Sequence, residues 1–555
     1  MTTPDSAAAP SAAEPEVRAG RRSVYPRVFY PSAALILLFV AWAIFATEAA
    51  EGVLLDVRNW ISEYLGWYYV VIVAGFIIFA LVVGLSHFGN IKLGPDDEKP
   101  EFSMKAWLAM LFSAGMGIGL VFWGVAEPLS HYAAPRPSWE GDATEIGQQA
   151  MMQTYLHWGL HAWGIYVIVG LAIAYAVHRR GRPVSIRWAL EPVLGNRVRG
   201  WLGDLIDTVA LVGTIFGIAT SLGLGALQIG SGMDFLGWLN VPEGEEPGAF
   251  VMISLITAIT LVAVISVVTG IKRGIKWLSQ INISLAGALL IFVLIAGPTL
   301  LLLQDFIQST GSYLQNLLRM SFDVGAAEGA EGRAWAAGWT TFYWGWWISW
   351  AAFVGIFIAR ISRGRTVREF VAGVLLLPTA VSFLWFTVMG GSAMHRVIDG
   401  ETELLDQSVE GMLFGMLDAL PAGTFLVIGS LIIIAIFFIT SSDSGSLVVD
   451  MLASGGDPDP PTWSRVFWAV IEGLVAIVLL LAGGLLALQA ASIAAAVPVS
   501  IVMIVMCVAI WKQFSAERRA MVELERKELA QAMVDDGLVE AGNGNGGDKT
   551  GAGRG

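Results

Sequence analysis

From Trp339 to Trp350 the chain reads Trp-Thr-Thr-Phe-Tyr-Trp-Gly-Trp-Trp-Ile-Ser-Trp, five tryptophans in twelve residues. A membrane-interface belt accounts for one or two tryptophans at the edge of an apolar stretch. It does not account for a run that continues into one. On a helix Trp346 and Trp350 share a face, and so do Trp347 and Trp350. A second aromatic set, Trp158, Trp163 and Tyr166, lies in a separate apolar stretch. Two such sets facing each other suit a quaternary ammonium. That cation has no N–H to donate, so ring faces hold it, at ~2 kcal/mol or more when desolvated. A carboxylate cage would attract it too, but no apolar stretch carries two acids on one face.

Other polar groups sit in apolar surroundings. Residues 113–119 read Ser-Ala-Gly-Met-Gly-Ile-Gly. Gly115 and Gly119, four apart, fit a close helix–helix contact. Glycine at every second position also favours a break, since each glycine lowers helix preference by ~1 kcal/mol. Unwound backbone inside a membrane is tolerated only beside a protein-lined cavity, where its carbonyls and amides can bind ions or substrate. Residues 440–446 read Thr-Ser-Ser-Asp-Ser-Gly-Ser. Their hydroxyls either bond back to the preceding turn or coordinate a hard monovalent cation. His157 and His161 have a metal-ligand spacing but no evident third ligand, and read as packing or hydrogen-bonding residues. Glu472 is an acid inside an apolar run, which marks it as a functional candidate without an assigned role.

The elements that must position these residues are membrane helices. Of 555 residues, 55% are hydrophobic and 14% charged, with a mean hydropathy of +0.66. A soluble domain has about 25% charged residues. Twelve apolar runs, near 30–49, 66–87, 104–126, 152–177, 206–232, 249–270, 278–303, 335–360, 369–392, 422–446, 463–485 and 489–513, are each long enough to cross a bilayer. Their length excludes barrel strands. The stretch 304–320 is too polar to span and reads as an amphipathic helix. With the N-terminus in the cytoplasm, 28 of the 33 Lys and Arg fall in or beside inside segments. This pattern places both termini there, in an inner membrane. Residues 1–27 form a disordered cytoplasmic tail, 28–514 the membrane domain, and 515–555 a cytoplasmic tail that is helical and then disordered. The single cysteine, Cys507, excludes an internal disulfide and a thiolate metal cluster. The net charge of −13, without a basic run, gives no sign of a nucleic-acid partner.

Residues 25–515 resemble the betaine/choline/carnitine transporter family. The resemblance is carried by 86–94 (Ser-His-Phe-Gly-Asn-Ile-Lys-Leu-Gly), by 115–119 continuing to Ala126-Glu127-Pro128, and by His157-Trp-Gly-Leu-His161. It is strongest from Trp339 to Trp350 and on through 359–366 (Ala-Arg-Ile-Ser-Arg-Gly-Arg-Thr). It implies an all-α fold of twelve spans. Spans 3–7 and 8–12 would form a LeuT-type inverted-repeat core, with two N-terminal helices outside it and assembly as a homotrimer. It implies a substrate box of Trp158, Trp163, Tyr166 and Trp347, with Trp346 and Trp350 along the pathway. Backbone around Ala114, Met116 and Gly117 would meet a substrate carboxylate. One sodium would lie near Ser113, Met116, Thr440 and Ser441. A second would use Thr214 and Phe353, but its further threonine is Ile218 here, which supplies no hydroxyl. Sodium-independent exchangers carry an arginine where this chain has Asn282, and many members have proline where it has Ala352. Proton-coupled choline carriers tend to have aspartate at the position of Gly119.

These readings converge on a carrier that takes up a zwitterionic quaternary-ammonium solute such as glycine betaine, with sodium as the coupling ion. It needs no other cofactor and is not an enzyme. The alternatives are a proton-coupled choline transporter and an osmosensor or channel without concentrative transport.

Overall fold

The computed structural model describes residues 23–115, 117–242, 247–269 and 272–535. Among these residues the only β pairing is one isolated bridge, Lys92 with Thr366, and the rest of the regular structure is helical. The α-helices run in chain order as α1 (Pro26–Phe45), α2 (Thr47–Leu85), α3 (Met104–Gly115), α4 (Ile118–Ala133), α5 (Ala143–Trp158), α6 (Leu160–Ala174), α7 (Ile186–Ala189), α8 (Glu191–Leu194), α9 (Trp201–Phe235), α10 (Ala249–Thr269), α11 (Lys272–Ala296), α12 (Thr299–Ser321), α13 (Gly329–Gly338), α14 (Thr340–Ile361), α15 (Val367–Ile398), α16 (Met412–Asp418), α17 (Gly423–Ala453), α18 (Thr462–Leu481) and α19 (Gly484–Asp535).

Among the described residues, eleven helical segments are long and apolar enough to cross a bilayer. A twelfth is the pair α3 and α4, bent by 63° across the glycine stretch. Counted as one broken span, this pair brings the candidates to the twelve read from the apolar runs, and the glycine stretch lies at its bend. The polar helix α12 is not among the candidate spans. It braces α5 and α15 instead, as its composition predicts.

Local sequence sets the ends of these helices. Asp142 caps α5 and Thr366 caps α15, each in a reciprocal capping box with the glutamate three residues on, Glu145 and Glu369. Gly117 is fully extended, which delays α4 until Ile118. Gly159 separates α5 from α6 with a backbone that is not helical. A Cβ there would fall 2.5 Å from the Tyr155 carbonyl oxygen and 2.8 Å from the Phe383 ring, so the junction admits no side chain. Trp158 is the residue just before that junction.

The core is one continuous cluster of buried apolar side chains. Helix α14 packs against α6, α9 and α19; α4 against α15, α5 and α9; and α17 against α9, α11 and α18. Both described chain ends lie on one face. The Tyr25 amide donates to the Ala453 carbonyl, Gly456 abuts Val184, and Arg179 pairs with Glu517 at 2.5 Å and Asp96 at 2.7 Å.

Candidate substrate and ion site

Helices α5, α6 and α14 bring the two aromatic sets together. Trp158 meets Trp347 edge-to-face with ring centroids 4.9 Å apart, and Trp346 stacks on Trp347 at 4.6 Å. Tyr166 touches Trp163 at 5.4 Å, and lies 6.4 Å from both Trp347 and Trp350. The rings close on Gly119 at the start of α4. A Cβ there would fall 2.5 Å from the tip of the Trp346 ring and 3.1 Å from that of Trp158. A cavity of about 30 Å³ remains between Gly117, Gly119, Trp158, Trp346, Trp347 and Ser441. The rings must move apart to admit a trimethylammonium head. Among the described residues the Trp346 indole N–H and the Tyr166 hydroxyl have no hydrogen-bond partner, although both side chains are buried. Trp163 contacts Tyr166 but does not line that cavity.

Sequence reasoning missed the group behind the box. Glu127 of α4 is fully buried. One carboxylate oxygen accepts from the Trp158 indole N–H at 2.6 Å and from the Tyr343 hydroxyl. The other contacts His157 Nδ1 at 2.6 Å and His131 Nε2 at 3.2 Å. His157 Nε2 lies 3.0 Å from both the Thr340 hydroxyl and the Gln153 amide nitrogen. The Trp347 indole N–H donates to the His157 carbonyl at 2.9 Å. One carboxylate thus ties α4, α5 and α14 together and fixes the tilt of a box ring. His157 does hydrogen-bond, as its sequence reading predicts, but its partners are Glu127, Thr340 and Gln153 rather than His161, which contacts Ser321 at 2.9 Å. Ligand atoms of Glu127, His131 and His157 lie within 4.8 Å of one another, a spacing open to a metal. Direct bonds already engage the carboxylate from both sides.

A second, larger cavity of about 280 Å³ adjoins the box. Ser113, Gly117, Asn282, Trp350, Phe353, Thr440, Ser441 and Asp443 line it, and it extends along α14 and α17 toward Arg360 and Met451. Ser113, Thr440 and Ser441 therefore do share one space. The Thr440 hydroxyl donates to the Ile436 carbonyl at 2.9 Å, the back-bond typical of hydroxyls inside helices, and its lone pairs remain for another partner. Both polar atoms of the buried Asn282 side chain lack a partner among the described residues. Met116 lies outside the described residues, and no side-chain contact is described for Ala114. Thr214 donates to Ala210 at 2.7 Å and does not line this cavity, whereas Phe353 does. Ile218 packs against Gly445, where a Cβ would fall 2.7 Å from its side chain, so apolar contact fills the place of a hydroxyl.

The sequence profile of the betaine/carnitine/choline family of transporters matches residues 27–519. The chain belongs to this family. An uncharacterised transporter of Mycobacterium tuberculosis is 51% identical over 530 residues, covering 94% of this chain and 87% of that protein. The glycine betaine transporter OpuD of Bacillus subtilis is 45% identical over 500 residues, 90% of this chain and 96% of its own. A glycine betaine transporter of Acinetobacter baylyi is 44% identical over 491 residues, 87% and 72% of the two chains.

A cluster of ion pairs and aromatic rings lies beside the Glu127 network. Arg136, in the loop after α4, pairs with Asp323 at 2.7 Å and Glu328 at 2.8 Å. Trp335 and Trp339 pack over His131 at 5.0 and 4.4 Å. None of these residues lines the 280 Å³ cavity.

Proposed function

We propose that this transporter imports a zwitterionic quaternary-ammonium solute, glycine betaine or a close analogue, together with sodium and by alternating access. The observation that carries the reading is the box of Trp158, Tyr166, Trp346 and Trp347 against the unwound start of α4, next to a cavity with Ser113, Thr440 and Ser441 hydroxyls. Ring faces hold the ammonium, and backbone amides near the break meet the carboxylate. Two of the relatives are named glycine betaine transporters, which supports the solute. The placement of 28 of 33 basic residues supports a cytoplasmic face at the chain ends.

One observation favours a net cation such as choline instead: the Glu127 carboxylate directly behind Trp158. Uptake of betaine and choline into proteoliposomes, with and without a sodium gradient, separates the readings. Saturable betaine uptake that collapses without sodium is expected. Because Ile218 supplies no oxygen, its sodium dependence should follow a Hill coefficient nearer one than two. A coefficient clearly near two would mean that another group replaces the missing hydroxyl.

Trp347 touches Trp158, Tyr166 and Trp346, so it is the ring whose loss opens the box most. Trp347→Ala removes ~1–2 kcal/mol of cation–π attraction, which raises the half-saturation concentration about 5- to 30-fold. Trp347→Phe should recover part of this. Parent-like half-saturation in the alanine variant, at matched membrane levels, would place the ammonium site elsewhere.

A further inference from the structure

Glu472 is the one charged side chain of α18 after Arg465, in a run that is otherwise apolar to Leu481. It is fully buried, and neither carboxylate oxygen has a hydrogen-bond partner among the described residues. Keeping a charge there without a partner costs several kcal/mol.

The packing offers little compensation. Helix α18 packs against α1, α9, α10, α17 and α19. Helix α10 carries no ionisable residue, α1 only Arg27 and Tyr30 near its start, and α19 only Cys507 before Lys512. On α9, Asp204 and Asp207 bind Arg187, and Asp234 lies near the far end, where it accepts from the Val241 amide. On α17, Asp450 accepts from Ser464 at 2.7 Å. The charges that act on Glu472 are Asp443 and Arg465, which pair with each other at 3.1 Å. Arg465 lies seven residues earlier on α18, or ~10 Å along the helix. Neutral acceptors are near. A Cβ on the neighbouring Gly473 would fall 2.5 Å from the Thr260 hydroxyl of α10. That hydroxyl, like Ser442 Oγ on α17, has no partner among the described residues.

We propose that Glu472 is a proton-binding site of the transporter: its carboxyl carries a proton in this conformation, and the proton is exchanged during the transport cycle by way of the cavity beside Asp443. The neutral acid needs one acceptor for its O–H, which the Thr260 hydroxyl beside the next residue of α18 can supply after a side-chain rotation. When Arg465 turns from Asp443 toward Glu472, the anion gains a counter-charge and the proton leaves to water in the cavity that Asp443 lines. Such a rearrangement couples the proton to the packing of α10, α17 and α18. The site lies outside the aromatic box and the hydroxyl pair, so it stands whether or not sodium is the coupling ion.

The test uses full-length protein in proteoliposomes at saturating sodium and a fixed betaine concentration, with the same pH on both faces. The parent's initial rate should fall severalfold as pH rises from mildly acidic to alkaline. The rate of Glu472→Gln, whatever its size, should be independent of pH. Infrared spectra of the purified parent should contain a protonated-carboxyl stretch that is missing in the glutamine variant. If that variant does not reach the membrane, Glu472→Asp should shift the stretch and the pH midpoint. A parent spectrum without a protonated carboxyl attributable to Glu472, or a glutamine variant with the parent's pH profile, would overturn the proposal.

Discussion

Replacing Glu127 by leucine should reduce betaine uptake more than a hundredfold in protein that still reaches the membrane. The carboxylate accepts from the Trp158 indole and the Tyr343 hydroxyl on one oxygen, and faces His157 and His131 on the other. Leucine has nearly the same volume but accepts nothing. Each buried donor left unpaired costs ~1–3 kcal/mol, and the Trp158 N–H and Tyr343 O–H are orphaned together, with the two histidines losing their contact as well. Part of that cost appears as lower stability. The rest appears at the box, because Trp158 loses the bond that fixes its ring against Trp347. A loss of ~3 kcal/mol at the site corresponds to the hundredfold effect. Glu127→Gln keeps one accepting oxygen but places an amide N–H₂ against the His157 and His131 ring nitrogens, which must then adopt the tautomers that accept. It should fall between parent and leucine. Thermal unfolding followed with uptake distinguishes the two components. If Glu127→Leu unfolds at the parent temperature and keeps the parent half-saturation concentration, the carboxylate does not hold the box.

The membrane helices were readable because a bilayer demands about 20 apolar residues per crossing, and composition alone records that demand. The break at residues 115–119 was readable for a similar local reason, glycine spacing against helix preference. The aromatic box was readable from residue type. Its rings come from α5, α6 and α14, and their number inside a span exceeds what an interfacial belt needs. Glu127 was not readable as the hub. Its partners lie 4, 30, 31 and 216 residues away, and only the folded packing of α4, α5 and α14 brings them within reach. The one available signal was an acid before Pro128 near the end of a span, and Glu472, deeper in its own run, gives that signal more strongly. The junctions at Gly159 and Trp339 were hidden as well, because each lies inside one continuous apolar crossing. Both breaks adjoin the site, one directly after Trp158 and the other at the first residue of α14.

Introducing aspartate at Gly119 should exchange betaine preference for choline preference, with a large loss of betaine uptake. Gly119 is where α4 approaches the rings most closely, with room for no Cβ beside Trp346 in this conformation. Any side chain must therefore push the Trp346 and Trp158 tips aside, and that steric cost falls on every solute. Charge acts differently on the two. Betaine brings its own carboxylate, which would compete with Asp for the same unwound amides. Like charges ~4 Å apart at a partly dry site oppose each other by ~4 kcal/mol at an effective dielectric constant of 20. Choline has no carboxylate and gains a counter-ion, in addition to Glu127 behind the box. Gly119→Ala isolates the steric part: it should lower betaine and choline uptake alike. Gly119→Asp should then raise the choline-to-betaine ratio at least tenfold above that of the alanine variant. It should also lessen the dependence on sodium, since a proton on the added carboxyl, which shares a cavity with Ser441, can take the place of the coupling cation. Equal ratios in the alanine and aspartate variants would show that the substrate carboxylate is not bound at the start of α4, and would move that half of the site to another part of the 280 Å³ cavity.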